Sequence, residues 1–178
     1  MKQKLDKGFI QVYTGNGKGK TTAAIGQAVR AAGFRLKTYF VMFMKEFPYN
    51  EVKSLEKLEE FITIVQVGKD DFVYNKVPPS DEEKLKIKNA LNKAKTKMLS
   101  GEYDLIVLDE ILVSIYFGLI TKEEVIAFIN EKPEHVELIL TGRYCPQEII
   151  DKADLVTEMK EVKHYYEKGV LARRGIES

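Results

Sequence analysis

The chain carries the stretch TGNGKGKTT at residues 14–22, and the fold can be predicted outward from it. An apolar run, FIQVY, precedes the stretch at residues 9–13, and apolar residues at helical spacing follow from about residue 20. Glycines let a loop turn its N–H groups inward, and the start of a helix adds about half a positive charge. A lysine can then reach a terminal phosphate, and a threonine hydroxyl can ligate Mg²⁺. The stretch therefore predicts a nucleotide-phosphate loop between a strand and a helix.

The loop departs from the common G-x-x-x-x-G-K-[ST] pattern at one position. The first glycine of that pattern would fall on Thr14, and here the glycine comes one residue later, at Gly15. We therefore expect the loop to hold its nucleotide differently from an ordinary ATPase. Lys20 and Thr21 are predicted to be catalytic, whereas Asn16 either contacts the nucleotide or only supports the turn. The residues predicted to bind the nucleotide are Gly15, Asn16, Gly17, Lys18, Gly19, Lys20, Thr21 and Thr22.

The helix after the loop should pack on the sheet through one apolar face. Ile25, Ala28, Val29 and Ala32 recur at the spacing of that face. Gly33 follows them and is predicted to end the helix, since glycine commonly adopts the left-handed conformation just past a helix C-terminus.

Composition indicates one soluble globular domain over residues 1–178. The hydrophobic share is 44% and the charged share 31%, which is typical of a folded domain that can bury a substantial core. A net charge of +1 gives no electrostatic reason to expect a nucleic-acid or membrane partner. Cys145 is the single cysteine, which excludes an intrachain disulfide and predicts a packing role. Residues 1–7 lack the apolar run of a signal peptide and no stretch is long enough to span a membrane, so a cytoplasmic location is predicted.

Apolar, β-branched runs alternate with helical segments along the chain. The run LIVL at residues 105–108 is continuously apolar, as a parallel strand covered on both faces requires. The pattern predicts an α/β fold of the P-loop NTPase type, a doubly wound, mostly parallel sheet with helices on both faces. The predicted strands are residues 9–13, 38–44, 61–67, 105–108, 136–141 and 155–159.

Capping boxes at residues 80–83 and 121–124 predict the starts of two helices. The first of these helices should bury Ile87, Leu91, Ala94 and Met98 and turn its many lysines to solvent. Prolines mark the loop before it, so residues 68–79 are predicted to be an irregular loop of the kind that often carries function.

Polar side chains follow several predicted strands directly. Asp109 and Glu110 end the strand at 105–108, Lys45 follows the second strand and Arg143 follows the fifth. Because ligands of open parallel sheets bind at the carboxyl ends of the strands, these side chains should converge with Lys20 on one rim. Asp109 and Glu110 are predicted to bind Mg²⁺ with Thr21, and Glu110 to be catalytic. Ordinary salt bridges remain an alternative for Lys45 and Arg143.

With these residues assembled, nearly the whole chain resembles the P-loop type of ATP:corrinoid adenosyltransferases. The loop and the C-terminal tail together make the resemblance specific, and neither looks like a kinase or a motor ATPase. The segments that carry it are YTGNGKGKTTAA at 13–24, VMFMK at 41–45, LDE at 108–110, LTGR at 140–143, ADLVTEM at 153–159, VKH at 162–164 and GVLARRGIE at 169–177.

The resemblance implies transfer of the 5′-deoxyadenosyl group of ATP to the Co(I) of a reduced corrinoid, in adenosylcobalamin biosynthesis or salvage. The corrinoid attacks the 5′ carbon of the ribose and tripolyphosphate leaves. ATP and the corrinoid are the implied substrates, and Mg²⁺ or Mn²⁺ the implied metal. The resemblance also implies a homodimer and a flavodoxin-like or other reductant.

The corrinoid contacts implied by the resemblance fall in the loop at residues 68–79. In this family an aromatic side chain is expected to displace the lower axial base of the corrinoid. Phe72 is the first candidate and Tyr74 the second. Members of the family carry tryptophan near this point, and this chain contains none.

Three other functions are compatible with parts of the sequence. A P-loop kinase or other phosphoryl-transfer enzyme would use the same loop and the same acids at 109–110. A switch ATPase of the partitioning type needs an extra lysine near the start of its loop, and residues 14–15 supply none. A corrinoid carrier without enzymatic activity would leave the phosphate loop unexplained.

Overall fold

The computed structural model describes residues 5–47, 49–69, 71 and 77–177. Within these residues six strands form one parallel sheet, in the spatial order β3-β2-β4-β5-β1-β6. The predicted doubly wound α/β fold is therefore confirmed. The strands are β1 Ile10–Thr14, β2 Thr38–Phe43, β3 Ile62–Val67, β4 Leu105–Asp109, β5 Glu137–Thr141 and β6 Leu155–Glu158.

Helices connect the strands and cover both faces of the sheet. They are α1 Lys20–Gly33, α2 Asn50–Leu55, α3 Asp81–Leu99, α4 Ile111–Tyr116, α5 Lys122–Asn130 and α6 Gln147–Ile150. Two 3₁₀ turns, Glu56–Leu58 and Tyr165–Lys168, complete the described structure.

The sheet separates two hydrophobic cores, and β2 contributes to both. Tyr39 and Val41 point into a core that includes residues of α3, α4 and α5. Phe40 and Met42 point to the opposite face, into the core beneath α1. Because both faces are covered, every residue of β2 and of β4 is buried. This explains why these strands are continuously apolar in the sequence.

The face that α1 turns to the sheet differs from the prediction at one position. Ala28 and Ala32 are buried as predicted, but Val29 is 44% exposed. Ala24 and Ala31 complete the buried face instead. Alanines have short side chains, which lets a helix approach a sheet closely, so the larger valine lies outside the contact.

Gly33 was predicted to end α1 in the left-handed conformation, and this prediction is wrong. Gly33 is the last helical residue, and Arg35 adopts the left-handed conformation at φ 62°. The N–H of Leu36 donates to the carbonyl of Ala31 at 3.0 Å, and that of Arg35 to Ala32 at 2.8 Å, which is a Schellman motif. Leu36 is buried beneath the helix, and its burial holds the arginine in this conformation.

Both predicted capping boxes are present. The hydroxyl of Ser80 accepts a hydrogen bond from the N–H of Glu83, whose carboxylate accepts from the N–H of Ser80. Thr121 and Glu124 make the same pair of bonds at the start of α5. The predicted inner face of α3 is also confirmed, since Ile87, Leu91, Ala94 and Met98 are buried.

Two further expectations concern a membrane span and the corrinoid loop, and only the first falls in the part of the chain that the structure describes. None of its helices is both long and apolar enough to cross a membrane. Phe72 and Tyr74, the aromatic candidates for the corrinoid, lie outside the described residues.

Cys145 packs at the edge of the core, and we expect its thiol to react slowly. Burial raises its pKa from an ordinary value of 9.0 to about 11, so the neutral thiol persists well above neutral pH. At pH 8 the thiolate fraction, and with it the rate of reaction with a disulfide reagent, should be about 100-fold below that of an exposed cysteine. The rate should rise with pH up to about 11. A rate equal to that of a free thiol at pH 8 would contradict this.

Candidate functional site

A cleft of about 750 Å³ opens at the carboxyl ends of the parallel strands. Its walls come from the loop after β1 and from single residues that follow β2, β4 and β5, as expected for an open α/β sheet. Helix α2 and the C-terminal tail close its other sides. Its lining includes Asn16, Gly17, Lys18, Gly19, Lys20, Thr21, Thr22, Lys45, Tyr49, Glu110, Arg143, His164, Ile176 and Glu177.

The pairing of β1 with β6 explains why the first glycine of the loop comes late. Thr14 lies opposite Glu158 in the ladder, and its carbonyl accepts from the N–H of Met159 at 2.8 Å. Strand β1 therefore stays extended through Thr14, where the common pattern would already need a glycine. The chain turns at the next residue, Gly15, with φ 93°.

Gly15 and Gly17 also allow the end of β6 to lie against the loop. A Cβ atom on Gly15 would come within 2.6 Å of the carbonyl oxygen of Met159, and one on Gly17 within 2.7 Å. The N–H of Gly17 donates to that same oxygen at 2.6 Å. The loop is thus shaped by a contact with a segment more than a hundred residues away in the chain.

The variant Gly15→Ala should destabilise the protein and weaken nucleotide binding. Its Cβ would meet the backbone of Met159, and a positive φ costs a non-glycine residue about 1–3 kcal/mol. Gly26→Ala is the matched control, since its Cβ meets nothing within 4 Å in the middle of α1. It should stabilise the protein by about 0.5–1 kcal/mol. Urea unfolding of both variants measures the difference, and equal midpoints would contradict the account.

Lys20 begins α1, and its side chain returns over the loop. Its ammonium donates to the carbonyl of Gly17 at 2.8 Å, and the residue is 7% exposed. Burial lowers the pKa of Lys20, and the nearby Glu110 carboxylate only partly offsets this. The first turn of α1 contains no acidic residue, so its positive end is not neutralised by its own side chains. This end of the cleft therefore favours an anion.

Asp109 ends β4 and is completely buried. One of its carboxylate oxygens accepts from the hydroxyl of Thr141 at 2.6 Å and from that of Thr21 at 2.9 Å. The other accepts from the ammonium of Lys45 at 2.8 Å. Burial alone would lower the pKa of Lys45, but Asp109 and Glu110 outweigh burial and raise that pKa. Asp109 therefore links Lys45, which follows β2, and Thr141, which ends β5, to Thr21 in the first turn of α1.

Glu110 follows Asp109 directly but points into the cleft. Its backbone is left-handed at φ 61°, a conformation that non-glycine residues rarely adopt, and its N–H donates to the hydroxyl of Thr141 at 3.0 Å. Burial and the charge of Asp109 raise its pKa, while Lys45 lowers it in part. The strained backbone turns the second carboxylate of the pair toward the side that a ligand can reach.

The residues predicted to bind a metal ion come together and offer oxygen atoms only. Thr21, Asp109 and Glu110 provide one hydroxyl and two carboxylates, which are the ligands that Mg²⁺ prefers. Among the described residues no three His, Cys, Asp or Glu side chains form a metal cage, so phosphate or water oxygens would have to complete the shell. The ammonium of Lys45 lies between these donors, so a cation is stable there. The donor set fits Mg²⁺.

Comparison with known proteins decides the family. The sequence model of the ATP:corrinoid adenosyltransferases, described as BtuR/CobO/CobP, matches residues 6–178. The chain belongs to the ATP:corrinoid adenosyltransferase family. It is 34% identical over 173 residues to the corrinoid adenosyltransferase of Escherichia coli (strain K12), covering 97% of this chain and 86% of that protein. It is 35% identical to the corrinoid adenosyltransferase CobA of Salmonella typhimurium (strain LT2), with the same coverage.

Among solved structures, the flagellar accessory protein FlaH from Methanocaldococcus jannaschii superposes with a TM-score of 0.57. The match covers 86% of this chain and 72% of that one, at 16% sequence identity. At this identity the likeness concerns the fold alone. It agrees with the parallel sheet and flanking helices of this adenosyltransferase-family chain.

The C-terminal tail of this family member is tied to the phosphate loop through Glu177. Its carboxylate accepts from the ammonium of Lys18 at 3.1 Å, from the hydroxyl of Tyr165 and from the N–H of Arg173 at 2.8 Å. The Arg173 guanidinium also donates to it, and the hydrogen bonds from Arg173 and Tyr165 lower the pKa of Glu177. The tail thereby becomes a wall of the cleft.

Lys18 also donates to the carbonyl of Ile176 at 3.1 Å, but the carboxylate of Glu177 carries the charged part of the connection, so Glu177→Gln should loosen the tail. The amide keeps the shape of the side chain and loses the charge that attracts Lys18 and Arg173. We expect the dissociation constant for ATP, measured by calorimetry, to rise about two- to fivefold, as for a partly exposed ion pair. The matched control is Glu167→Gln, an exposed carboxylate in the same tail. Equal ATP affinities for the two variants would contradict this role.

The structure brings most of the predicted site residues to one place. Asn16 to Thr22 line the cleft with Lys45, Glu110 and Arg143, while Asp109 lies beneath them. His164 also lines the cleft, and its Nδ1 accepts from the N–H of Tyr166.

Sequence reasoning missed three contributors, Thr141, Met159 and Glu177. The role of Thr141 could have been predicted, because a hydroxyl at a strand end can hold a buried carboxylate on the neighbouring strand. The contacts of Met159 and Glu177 with the loop could not have been predicted, since they depend on where the tail folds.

Proposed function

We propose that this protein transfers the 5′-deoxyadenosyl group of ATP to the Co(I) centre of a reduced corrinoid and releases tripolyphosphate. The step belongs to adenosylcobalamin biosynthesis or salvage. The observation that carries the proposal is the family match over residues 6–178, which includes the phosphate loop and the tail that form the cleft.

The reaction needs no nucleophile from the protein. Co(I) gives an electron pair to the 5′ carbon, and a Co–C bond forms while the bond from that carbon to its phosphate oxygen breaks. The electron pair of the broken bond leaves on tripolyphosphate, and the cobalt becomes formally Co(III). The chain's own tasks are alignment and neutralisation of the leaving group. Alignment alone can supply about 7–11 kcal/mol by effective-molarity estimates.

The leaving group is stabilised by cations on the loop and the rim. Tripolyphosphate leaves with about four negative charges, and preorganised donors are most effective where such charge develops. Lys18 and Lys20 approach it from the loop, Lys45 from the end of β2 and Arg143 from the end of β5. The N–H of Gly17 already donates to Met159, so the amides that follow it, at the start of α1, are the donors for the remaining phosphate oxygens.

Thr21, Asp109 and Glu110 are the residues that would hold Mg²⁺ or Mn²⁺. When bound, the metal neutralises phosphate charge as Lewis acid. Glu110 faces the cleft and is the carboxylate that can reach a nucleotide-bound ion, while Asp109 orients Thr21 from beneath. Lys20, Thr21 and Glu110 are accordingly proposed as the catalytic residues.

The corrinoid is proposed to lie over the ribose, near the loop that precedes α3. Phe72 is the proposed displacer of its lower axial base, with Tyr74 as the second candidate. We further propose a single domain over residues 1–178 that acts as a cytoplasmic homodimer and receives a corrinoid reduced by a flavodoxin-like or other reductant. In the described residues β6 is an edge strand of the sheet, and its Leu155 and Val156, 45% and 40% exposed, offer apolar surface to a second copy.

A product assay tests the function. Purified protein, ATP, Mg²⁺ and a chemically reduced corrinoid should give the absorbance change of Co–C bond formation and one equivalent of tripolyphosphate by ³¹P NMR. A phosphoryl-transfer enzyme would instead produce ADP or inorganic phosphate. Those products without a Co–C bond would refute the proposal.

A further inference from the structure

Lys45 occupies the place where the proposed metal site has its oxygen donors. Its ammonium lies 2.8 Å from an oxygen of Asp109, 2.9 Å from the hydroxyl of Thr21 and 4.0 Å from an oxygen of Glu110. These are the same three residues that offer ligands to Mg²⁺. The side chain of Lys45 is 14% exposed, so the contact is enclosed and not a surface encounter.

Lys45 and a metal ion would contact the same oxygens of Thr21 and Asp109 and would therefore repel each other. Thr21 donates its proton to Asp109 at 2.9 Å and accepts a hydrogen bond from Lys45 through its oxygen. A metal ion bound to Thr21 or Asp109 would lie about 2 Å from an oxygen that Lys45 now contacts, which puts the two cations at most about 5 Å apart. Their repulsion in this enclosed place disfavours joint occupancy of the site.

The ammonium of Lys45 can leave this position while the backbone of the residue stays in place. Its carbonyl accepts from the side-chain amide of Gln66 at 2.7 Å, which holds the main chain at the end of β2. The ammonium stands on a flexible four-carbon stem, and it faces a cleft in which Lys20 and Arg143 are already cationic. A displaced ammonium beside a divalent ion is stable only when an anion enters with them.

We propose that Lys45 and the divalent metal ion compete for one cation position, so that the metal enters together with a triphosphate and not before it. On entry of the nucleotide, the Lys45 ammonium passes from Asp109 to the phosphate oxygens and the metal takes its place. The inference rests on the metal site of the proposed function and adds an order of binding to it.

The test measures Mn²⁺ binding in the absence of nucleotide, by the electron paramagnetic resonance of free Mn²⁺. Wild-type protein should bind weakly, and Lys45→Met should bind at least about tenfold more tightly, because the ammonium no longer competes for the oxygens. Arg143→Met is the control, as it removes a cation from the same cleft without vacating these oxygens. Equal gains in the two variants, or no gain in Lys45→Met, would overturn the proposal.

Two further measurements locate the effect and cover the possibility that Lys45→Met folds poorly. Adding Glu110→Gln to Lys45→Met should remove the gained affinity, and a gain that persists would place the ion elsewhere and refute the competition. In wild-type protein, the side-chain NMR signal of Lys45 should stay in place with millimolar Mg²⁺ alone and move when Mg²⁺ and ATP are added together. Movement with Mg²⁺ alone would overturn the proposal.

These measurements contain no corrinoid and no turnover. A failure of adenosyl transfer with the expected Mn²⁺ results would reject the proposed reaction and keep the competition. Normal adenosyl transfer with no difference in Mn²⁺ affinity between the variants would keep the proposed reaction and reject the competition.

Discussion

Lys20→Ala should lower the rate of adenosyl transfer by about 100- to 1,000-fold, the usual cost of removing one donor that stabilises developing negative charge. Lys20 is enclosed at the start of α1, and burial lowers its pKa, so an anion placed beside it would find a cation with little competing solvent. The loss should appear in kcat as well as in the KM for ATP, since the charge on the leaving group grows in the transition state. Steady-state assays with reduced corrinoid measure both constants.

The control for this variant is Lys122→Ala. Lys122 pairs with Glu148 on the surface, so its removal takes away one lysine without affecting the cleft. Thermal unfolding should show that Lys20→Ala remains folded. The variant loses one hydrogen bond, to the carbonyl of Gly17, and it removes a charge whose burial is unfavourable. Normal turnover by a well-folded Lys20→Ala protein would contradict the proposal that the loop binds the phosphates of ATP.

Strands and capped helices were predictable because their signals are local. β2 and β4 are continuously apolar since both of their faces are covered, and the capping boxes at Ser80 and Thr121 are written within four residues. The prediction failed at Val29 and Gly33, where tertiary packing outweighs local preference. Alanines set the distance from α1 to the sheet, and burial of Leu36 holds Arg35 in a conformation that glycine adopts more easily.

The site was predictable to the extent that it lies at strand ends. Lys45, Glu110 and Arg143 meet because parallel strands end at one edge, so order along the chain already implies proximity. The sequence did not predict that Asp109 would be buried while the adjacent Glu110 faces the cleft. This difference depends on the left-handed backbone of Glu110, which turns one carboxylate into the cleft and leaves Asp109 in the core. The family resemblance supplied the reaction, which neither composition nor spacing could give.

The contact between the C-terminal tail and the phosphate loop was not predictable from the sequence. Glu177 reaches Lys18 across 159 positions of the chain, and neither residue type marks the other as its partner. A charged pair of this kind is one of many that the composition allows. The late glycine at Gly15 is a related case, because its cause is the pairing of Thr14 with Glu158 on β6.

Asp109→Ala should lower the free energy of unfolding by about 3–5 kcal/mol, since removing one partner of a buried ion pair leaves the other charge uncompensated. The ammonium of Lys45 would lose its nearer carboxylate and keep only that of Glu110, at 4.0 Å, and the hydroxyls of Thr21 and Thr141 would lose their acceptor. Urea unfolding of the purified variant measures the change. Adenosyl transfer should also be lost, because Thr21 is no longer oriented beneath the phosphate loop.

Two comparisons separate the buried charge from a general effect of truncating an aspartate on this strand. Asp104, which immediately precedes β4, is equally buried and accepts from the backbone N–H of Lys37 at 2.9 Å. Asp104→Ala leaves a neutral donor without an acceptor and should cost less, about 1–3 kcal/mol. The double variant Asp109→Ala, Lys45→Met should recover part of the lost stability, because it removes the uncompensated ammonium along with the carboxylate. If the double variant is less stable than Asp109→Ala alone, the cost arises from lost packing and not from the charge on Lys45.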